Sequence, residues 1–278
     1  MSRASPKGRA MSTASSLTET VLYDTLVNYL VSMARTVEGA MNRALDSLVG
    51  LDRPETSALP GEVFLLEPRI NEMEIVIDEH AIRLLRRGSF SDDEMRLIVA
   101  ALKITNDLER IGDIAVNLAE RVISLRELPG AELPEELAPM ASAVRAMVSK
   151  SLGALIFRNV EMATQVLESD DVVDQYRDRI FERLLQSMTQ EASLVSPGLQ
   201  FILATRHLER IADHATNIAE DIIYWVRGLD VRHGRALAVR PEQAPDTESH
   251  PAAHPAKVTE NSHALHPNVT PACDTQRA

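Results

Sequence analysis

The stretch LERIGD at Leu108–Asp113 returns as LERIAD at Leu208–Asp213, and the match extends on both sides. Aligned outward, NDLERIGDIAVNLAER faces RHLERIADHATNIAED, which pairs Glu109 with Glu209, Asp113 with Asp213, Asn117 with Asn217 and Glu120 with Glu220. A chain that repeats itself at a fixed offset is one supersecondary unit used twice, and this restricts the architecture before any segment is assigned. The 278 residues leave room for two such units.

Composition selects the kind of unit. Apolar residues make up 45% of the chain and aromatics only 4%, so a core is available but little in it favours sheet. Periodicity gives three helices per half. In the first half these are residues 16–49, with Leu17, Val21, Leu26, Leu30, Met33 and Val37 on one side, then 62–87, then a helix opened by Ser91. Ser91 and Glu94 have capping-box spacing, in which each side chain satisfies the other's backbone N–H. In the second half the helices are 134–167, with a bend near Gly153 or Asn159, then 170–190, then one with Ser196 as N-cap and Pro197 at its first position, ending at Gly228. The expected fold is all-α, two tandem three-helix bundles related by the repeat. Residues 1–15 are a flexible start, 16–128 the first repeat, 134–228 the second, and 232–278 a Pro-rich, aperiodic, disordered tail.

A net charge of −12 argues against nucleic acid, whose binding needs Lys and Arg on phosphates. The single cysteine, Cys273, cannot close an internal disulfide, residues 1–15 lack a signal-peptide core, and no uninterrupted apolar run nears the ~20 residues that span a bilayer. The chain is therefore expected to be cytoplasmic.

The repeated helices carry more than a core stripe. Ile104, Leu108, Ile111, Ala115, Leu118 and Val122 form one apolar face, as do Ala204, Leu208, Ile211, Ala215, Ile218 and Ile222. Glu109, Asp113 and Asn117, and likewise Glu209, Asp213 and Asn217, stack in rows on the far side of that face. The preceding helices repeat the device, with Glu74 and Asp78 in one half and Asp174 and Asp178 in the other. If these helices lie antiparallel, four carboxylates per half can converge. One such pair is an ordinary solvated face, since like charges four apart cost only about 0.2–0.5 kcal/mol. Two rows in each half, repeated in register, suit a hard cation instead.

The residues LERIGDIAVNLAE, RHLERIADHATNIAEDIIYWVRG and NEMEIVIDEH resemble the PhoU family of phosphate-transport and phosphate-signalling accessory proteins, over about Ser16 to Gly228. The resemblance implies paired three-helix bundles assembled as a homodimer. It also implies a multinuclear metal cluster of iron, manganese or zinc, with magnesium possible, and no organic cofactor. Carried over by position, the ligands are Glu74, Asp78, Glu109 and Asp113, then Asp174, Asp178, Glu209 and Asp213, with Asn117 and Asn217 as weaker flanking candidates. The implied role is regulatory, not enzymatic: an adaptor between the ATPase subunit of the phosphate ABC transporter and a sensor histidine kinase, touching the membrane only through these partners. It would restrain phosphate uptake and the starvation response. An accessory protein of a different phosphate or ion carrier is the alternative.

A di-iron oxidase fits less well, because such sites ask for Glu-x-x-His pairs. The positions three after Glu74, Glu109 and Glu209 are Ile77, Gly112 and Ala212, and His80, His207 and His214 do not have that spacing. His214 is read as a surface or subunit-contact residue, and Arg83, Arg86 and Arg87 as a solvated helix end.

Overall fold

The computed structural model describes residues 7–232 and 237–238, with side-chain surroundings from Leu22 to Arg232. Seven helices follow in order: α1 (Lys7–Val49), α2 (Leu59–Leu85), α3 (Asp92–Arg126), α4 (Leu137–Phe157), α5 (Val160–Leu167), α6 (Asp170–Gln190) and α7 (Val195–Arg227). Helices α1, α2 and α3 pack together, α4 through α7 form the second bundle, and α3 lies along α7 at the seam between them.

Local sequence explains most boundaries. Ser91 N-caps α3 through the full capping box, its amide donating to Glu94 Oε2 at 2.8 Å. Gly228 ends α7 in the left-handed region at φ 64, where a missing Cβ removes the steric cost. Several boundaries differ from the sequence expectation. Helix α1 begins at Lys7, ahead of Ser16, and α2 at Leu59, ahead of Glu62. A short 3-10 turn, Ala192–Leu194, runs directly into α7, so Ser196 lies inside the helix and does not cap it. The helix expected to bend near Gly153 or Asn159 is broken. Arg158 takes φ 50, and Asn159 starts α5 by accepting from the Met162 amide at 3.0 Å. The second bundle therefore holds four helices.

Two short strands, β1 (Leu229–Asp230) and β2 (Leu237–Ala238), pair antiparallel just after α7. They place the beginning of the expected tail in a ladder where no strand was anticipated. Residues 1–6, 233–236 and 239–278 lie outside the described residues, and with them most of that tail. Helix α4 is the one described helix long and apolar enough to cross a membrane, although Arg145 and Lys150 interrupt its apolar run. Half of its apolar stretch is buried, α4 contacts α1, α5, α6 and α7, and its Arg145 reaches Asp46 of α1 at 2.5 Å.

The seam is antiparallel and partly polar. Lys103 of α3 donates to Asp221 of α7 at 2.6 Å, and Arg121 to Gln200 at 3.0 Å. Between them the buried Asp107 accepts from His214 Nδ1 at 2.7 Å and from Asn217 Nδ2 at 3.3 Å. Buried polar groups cost free energy unless paired, so this ladder favours one register of the two repeats. Around it lie small buried residues, among them Ala101, Ala115, Ala119, Ala212, Ala215 and Ala219, which let the helices approach closely.

The single difference between LERIGD and LERIAD has a packing cause. A Cβ on Gly112 would sit 3.0 Å from Ile70 Cδ1 of α2, inside normal contact. Position 170, the repeat-equivalent of Ile70, is the smaller Asp170, and there the chain carries Ala212. Gly112→Leu is expected to lower stability by about 1–3 kcal/mol through overpacking. Ile70→Ala alone is expected to cost about 2–5 kcal/mol. In the Gly112→Leu background the same change should cost much less, because the leucine refills the space. Additive losses in denaturant unfolding of the four proteins would contradict this contact.

Candidate functional site

The four carboxylates of the first half meet along the edge where α2 lies on α3. Glu74 and Asp78 come from α2, Glu109 and Asp113 from α3. Their spacing stacks each pair along its helix, and the close approach at Gly112 draws the two rows together. The rows are less exposed than the helical wheel predicts. Glu109 keeps only 15% of its side chain accessible, and its Oε2 is buried without a hydrogen-bond partner. The nearest cation is Arg110, with Nε 3.4 Å from Glu109 Oε2 and Nη1 3.4 Å from Asp113 Oδ2.

The electrostatics follow from this crowding. Burial raises the Glu109 pKa, and the Asp113 charge beside it adds to the shift, with Arg110 opposing. Burial likewise raises Glu74, followed by repulsion from Asp78 and Asp113. Glu74 and Glu109 thus resist ionisation because water is partly excluded and their neighbours are charged.

The second half builds the same edge from α6 and α7 but fills it differently. Arg177 lies between the rows, donating to Asp174 Oδ1 at 2.7 Å, pairing with Asp178 at 2.9 Å, and bridging to Glu209 of α7. These bonds raise its pKa further above the usual guanidinium range. Asp213 sits beyond the clamp, its pKa raised by burial and then by Glu209. A fifth carboxyl, Asp170, joins the group. Burial raises it, with the charges of Asp213 and Asp174 next.

All eight acidic candidates therefore fall on two helix-pair edges. The two asparagines do not complete them. Asn117 donates to the backbone carbonyl of Asp113 at 3.0 Å, and Asn217 is engaged with Asp107 at the seam. His214, expected at the surface or at a subunit contact, instead bonds Asp107 within the chain. Among the described residues, no three His, Cys, Asp or Glu side chains stand in a ligating arrangement around one point. The first edge holds a buried carboxylate oxygen with no hydrogen-bond partner among mutually repelling carboxyls, and Arg110 lies beside it. On the second edge a guanidinium already supplies the positive charge.

Two residues of this surface escape a reading based on the repeat. Asp170 and Arg177 stand where the first half has Ile70 and Ile77, both buried. The available signal was local: Arg177 follows Asp174 by three positions and precedes Asp178 by one.

Comparison with known proteins gives a consistent picture. The PhoU domain profile matches twice, over residues 30–122 and 137–222. The phosphate-specific transport system accessory protein PhoU homolog of Pseudomonas aeruginosa is 38% identical over 209 residues, 74% of this chain and 84% of that one. The homolog of Clostridium acetobutylicum is 35% identical over 163 residues, 58% and 74% of the two chains. The crystal structure of PhoU from Pseudomonas aeruginosa superposes with a TM-score of 0.70 at 36% identity, covering 75% of this chain and 99% of that one. That of the phosphate transport system regulatory protein PhoU from Streptococcus pneumoniae gives 0.68 at 23% identity, over 77% and 99%, a likeness of fold alone.

The raised Glu109 carboxyl predicts a direction of pH dependence. Its native pKa lies above its unfolded value, so the native state binds the proton more tightly. The stability it contributes is complete below the unfolded value, ~4.3, and is lost as pH rises through the native value. In chelator-treated protein, Glu109→Gln should melt above wild type at pH 7, with the gap closing below about pH 4.5. A variant that melts lower than wild type at pH 7 would show that the charge is favourably held.

Proposed function

This chain belongs to the PhoU family, and on that premise we propose that it restrains phosphate uptake and keeps the phosphate-starvation response off when phosphate is plentiful. The observation that carries the reading is the family match in both repeats, with relatives named as accessory proteins of the phosphate-specific transport system. The chain acts by contact, as a cytoplasmic homodimer linking the ATPase subunit of the transporter to a membrane sensor histidine kinase, and not by covalent catalysis. Its rigid paired bundles and strongly acidic surface suit docking to basic partner patches, with association steered by charge and weakened by salt.

Metal binding forms part of the proposal. Glu74, Asp78, Glu109 and Asp113 would hold iron, manganese or zinc on the first edge. Asp174, Asp178, Glu209 and Asp213 would do so on the second only after Arg177 leaves them. On the first edge a bound cation would add positive charge to that of Arg110, and so tie α2 to α3. Glu109 and Glu74 have raised proton affinities, so their loading should strengthen as pH rises.

Two measurements test these statements separately. Deleting the gene should leave a phosphate-starvation reporter switched on in phosphate-rich medium, and the intact gene should switch it off again. A reporter that still shuts off normally in the deletion strain would move the assignment to an accessory role with a different carrier. Elemental analysis of protein prepared without chelator should find metal that is lost when Glu109 and Asp113 are both changed to alanine. Arg177→Gln should raise the metal content. Unchanged metal in the double variant would remove these residues from the ligand set.

A further inference from the structure

The acidic balance of the chain is interrupted along one groove, which lies between α1 and α2. Its floor follows one face of α1 through Asn28, Ser32, Arg35, Thr36 and Arg43, and its other wall presents Arg69 of α2. The volume is about 520 Å³. Arg43 is already occupied, with Nε on Glu62 Oε2 at 2.8 Å and Nη1 on the Gly39 carbonyl at 2.9 Å. Arg35 and Arg69 are exposed, and neither pairs with a carboxylate among the described residues. In a chain of net charge −12, two unneutralised guanidinium groups facing one concavity form a local positive site.

The groove continues at one end into a second hollow of about 260 Å³, which shares Ser32 and Arg69 and is walled by Tyr29, Met73 and Val76, with Glu72 at its rim. Tyr29 is held there by an edge-on contact with His80, whose Nε2 is bonded to the Leu22 carbonyl. The repeat does not explain this surface. Buried Leu30, Met33 and Val37 of α1 correspond to buried Leu137, Met140 and Val144 of α4, so Arg35 and Thr36 correspond to Ser142 and Ala143, and Arg69 to Ser169.

We propose that this groove binds an acidic, amphipathic segment of a partner protein. Its carboxylates meet Arg35 and Arg69, its polar groups meet Ser32, Thr36 and Asn28, and an apolar side chain rests against Tyr29, Met73 and Val76. Dimensions favour a segment over a small oxyanion. From Asn28 to Arg43 the helix rises roughly 22 Å, at ~1.5 Å per residue, and one phosphate-sized ion would leave most of that length uncovered. Planar guanidinium groups on two helices also suit bidentate contact with successive carboxylates. A concave groove set in an acidic protein is a poor match for a flat anionic membrane. The inference rests on the groove alone and stands or falls apart from the regulatory reading.

The test uses the full chain and a fluorescein-labelled helical peptide with glutamates along one face and leucines beside them, read by anisotropy at low salt. Binding should be saturable and should weaken at least tenfold in Arg35→Glu/Arg69→Glu, with Arg35→Gln/Arg69→Gln intermediate and the melting temperatures of both variants unchanged. Raising salt should weaken it further, while a lysine-for-glutamate peptide should bind no worse to the charge-reversed variant than to wild type. Three results would overturn the proposal: no binding of the acidic peptide, affinities within twofold across the variants, or displacement by millimolar inorganic phosphate. Sedimentation with phosphatidylserine vesicles that depends on Arg35 and Arg69, without peptide binding, would assign the groove to lipid instead.

Discussion

The antiparallel seam between α3 and α7 is the constraint on which the rest of the molecule depends. The duplicated helices could each have buried one stripe in its own bundle and left the halves as separate beads. Here α3 packs on α7 as well as on α1 and α2, and buries small residues on more than one side. The polar ladder through Lys103, Asp107, His214, Asn217 and Asp221 favours one register, because a slip would leave buried charges unpaired. With one side of each signature helix committed to the seam and another to the core, the carboxylate rows fall on the remaining edge, beside α2 or α6.

That placement gives the rows their chemistry. On open solvent faces, Glu109 and Asp113 would be ordinary acids. Under α2, Glu109 loses water, and its Oε2 is left buried with no hydrogen-bond partner and only the ion pair to Arg110 at 3.4 Å. The two edges answer the same crowding in different ways. The first carries its repulsion with Arg110 at its side, 3.4 Å from Glu109 and from Asp113, whereas the second seats Arg177 among Asp174, Asp178 and Glu209. Duplication supplied the same scaffold twice, and one substitution at a former core position, isoleucine in one half and arginine in the other, separated the two surfaces electrostatically.

Much of this was legible in the sequence. The repeat gave the two-bundle architecture, helical periodicity gave the stripes, and i, i+4 spacing put the eight acids on matched edges. The parts that were not legible depend on contacts between distant segments. The burial of Glu109 follows from how closely α2 approaches at Gly112, a distance that no helical wheel contains. His214 looked like a surface residue because its partner, Asp107, lies in the other repeat. Asp170 and Arg177 were hidden by the repeat itself, which aligns them with buried isoleucines. The break at Arg158 required a left-handed backbone at a residue with no intrinsic preference for it. The arginine groove has no counterpart in the second half, so a search for repeated features passed over it.

The central claim is that the two acidic edges are unequal, one open to a cation and the other held by its own guanidinium. Anomalous scattering from crystals soaked in manganese tests this directly, at limiting metal and a pH above the carboxyl range. The account predicts density among Glu74, Asp78, Glu109 and Asp113, and none between Asp174 and Glu209 while Arg177 is in place. Equal occupancy of both edges, or metal on the second edge alone, would contradict it.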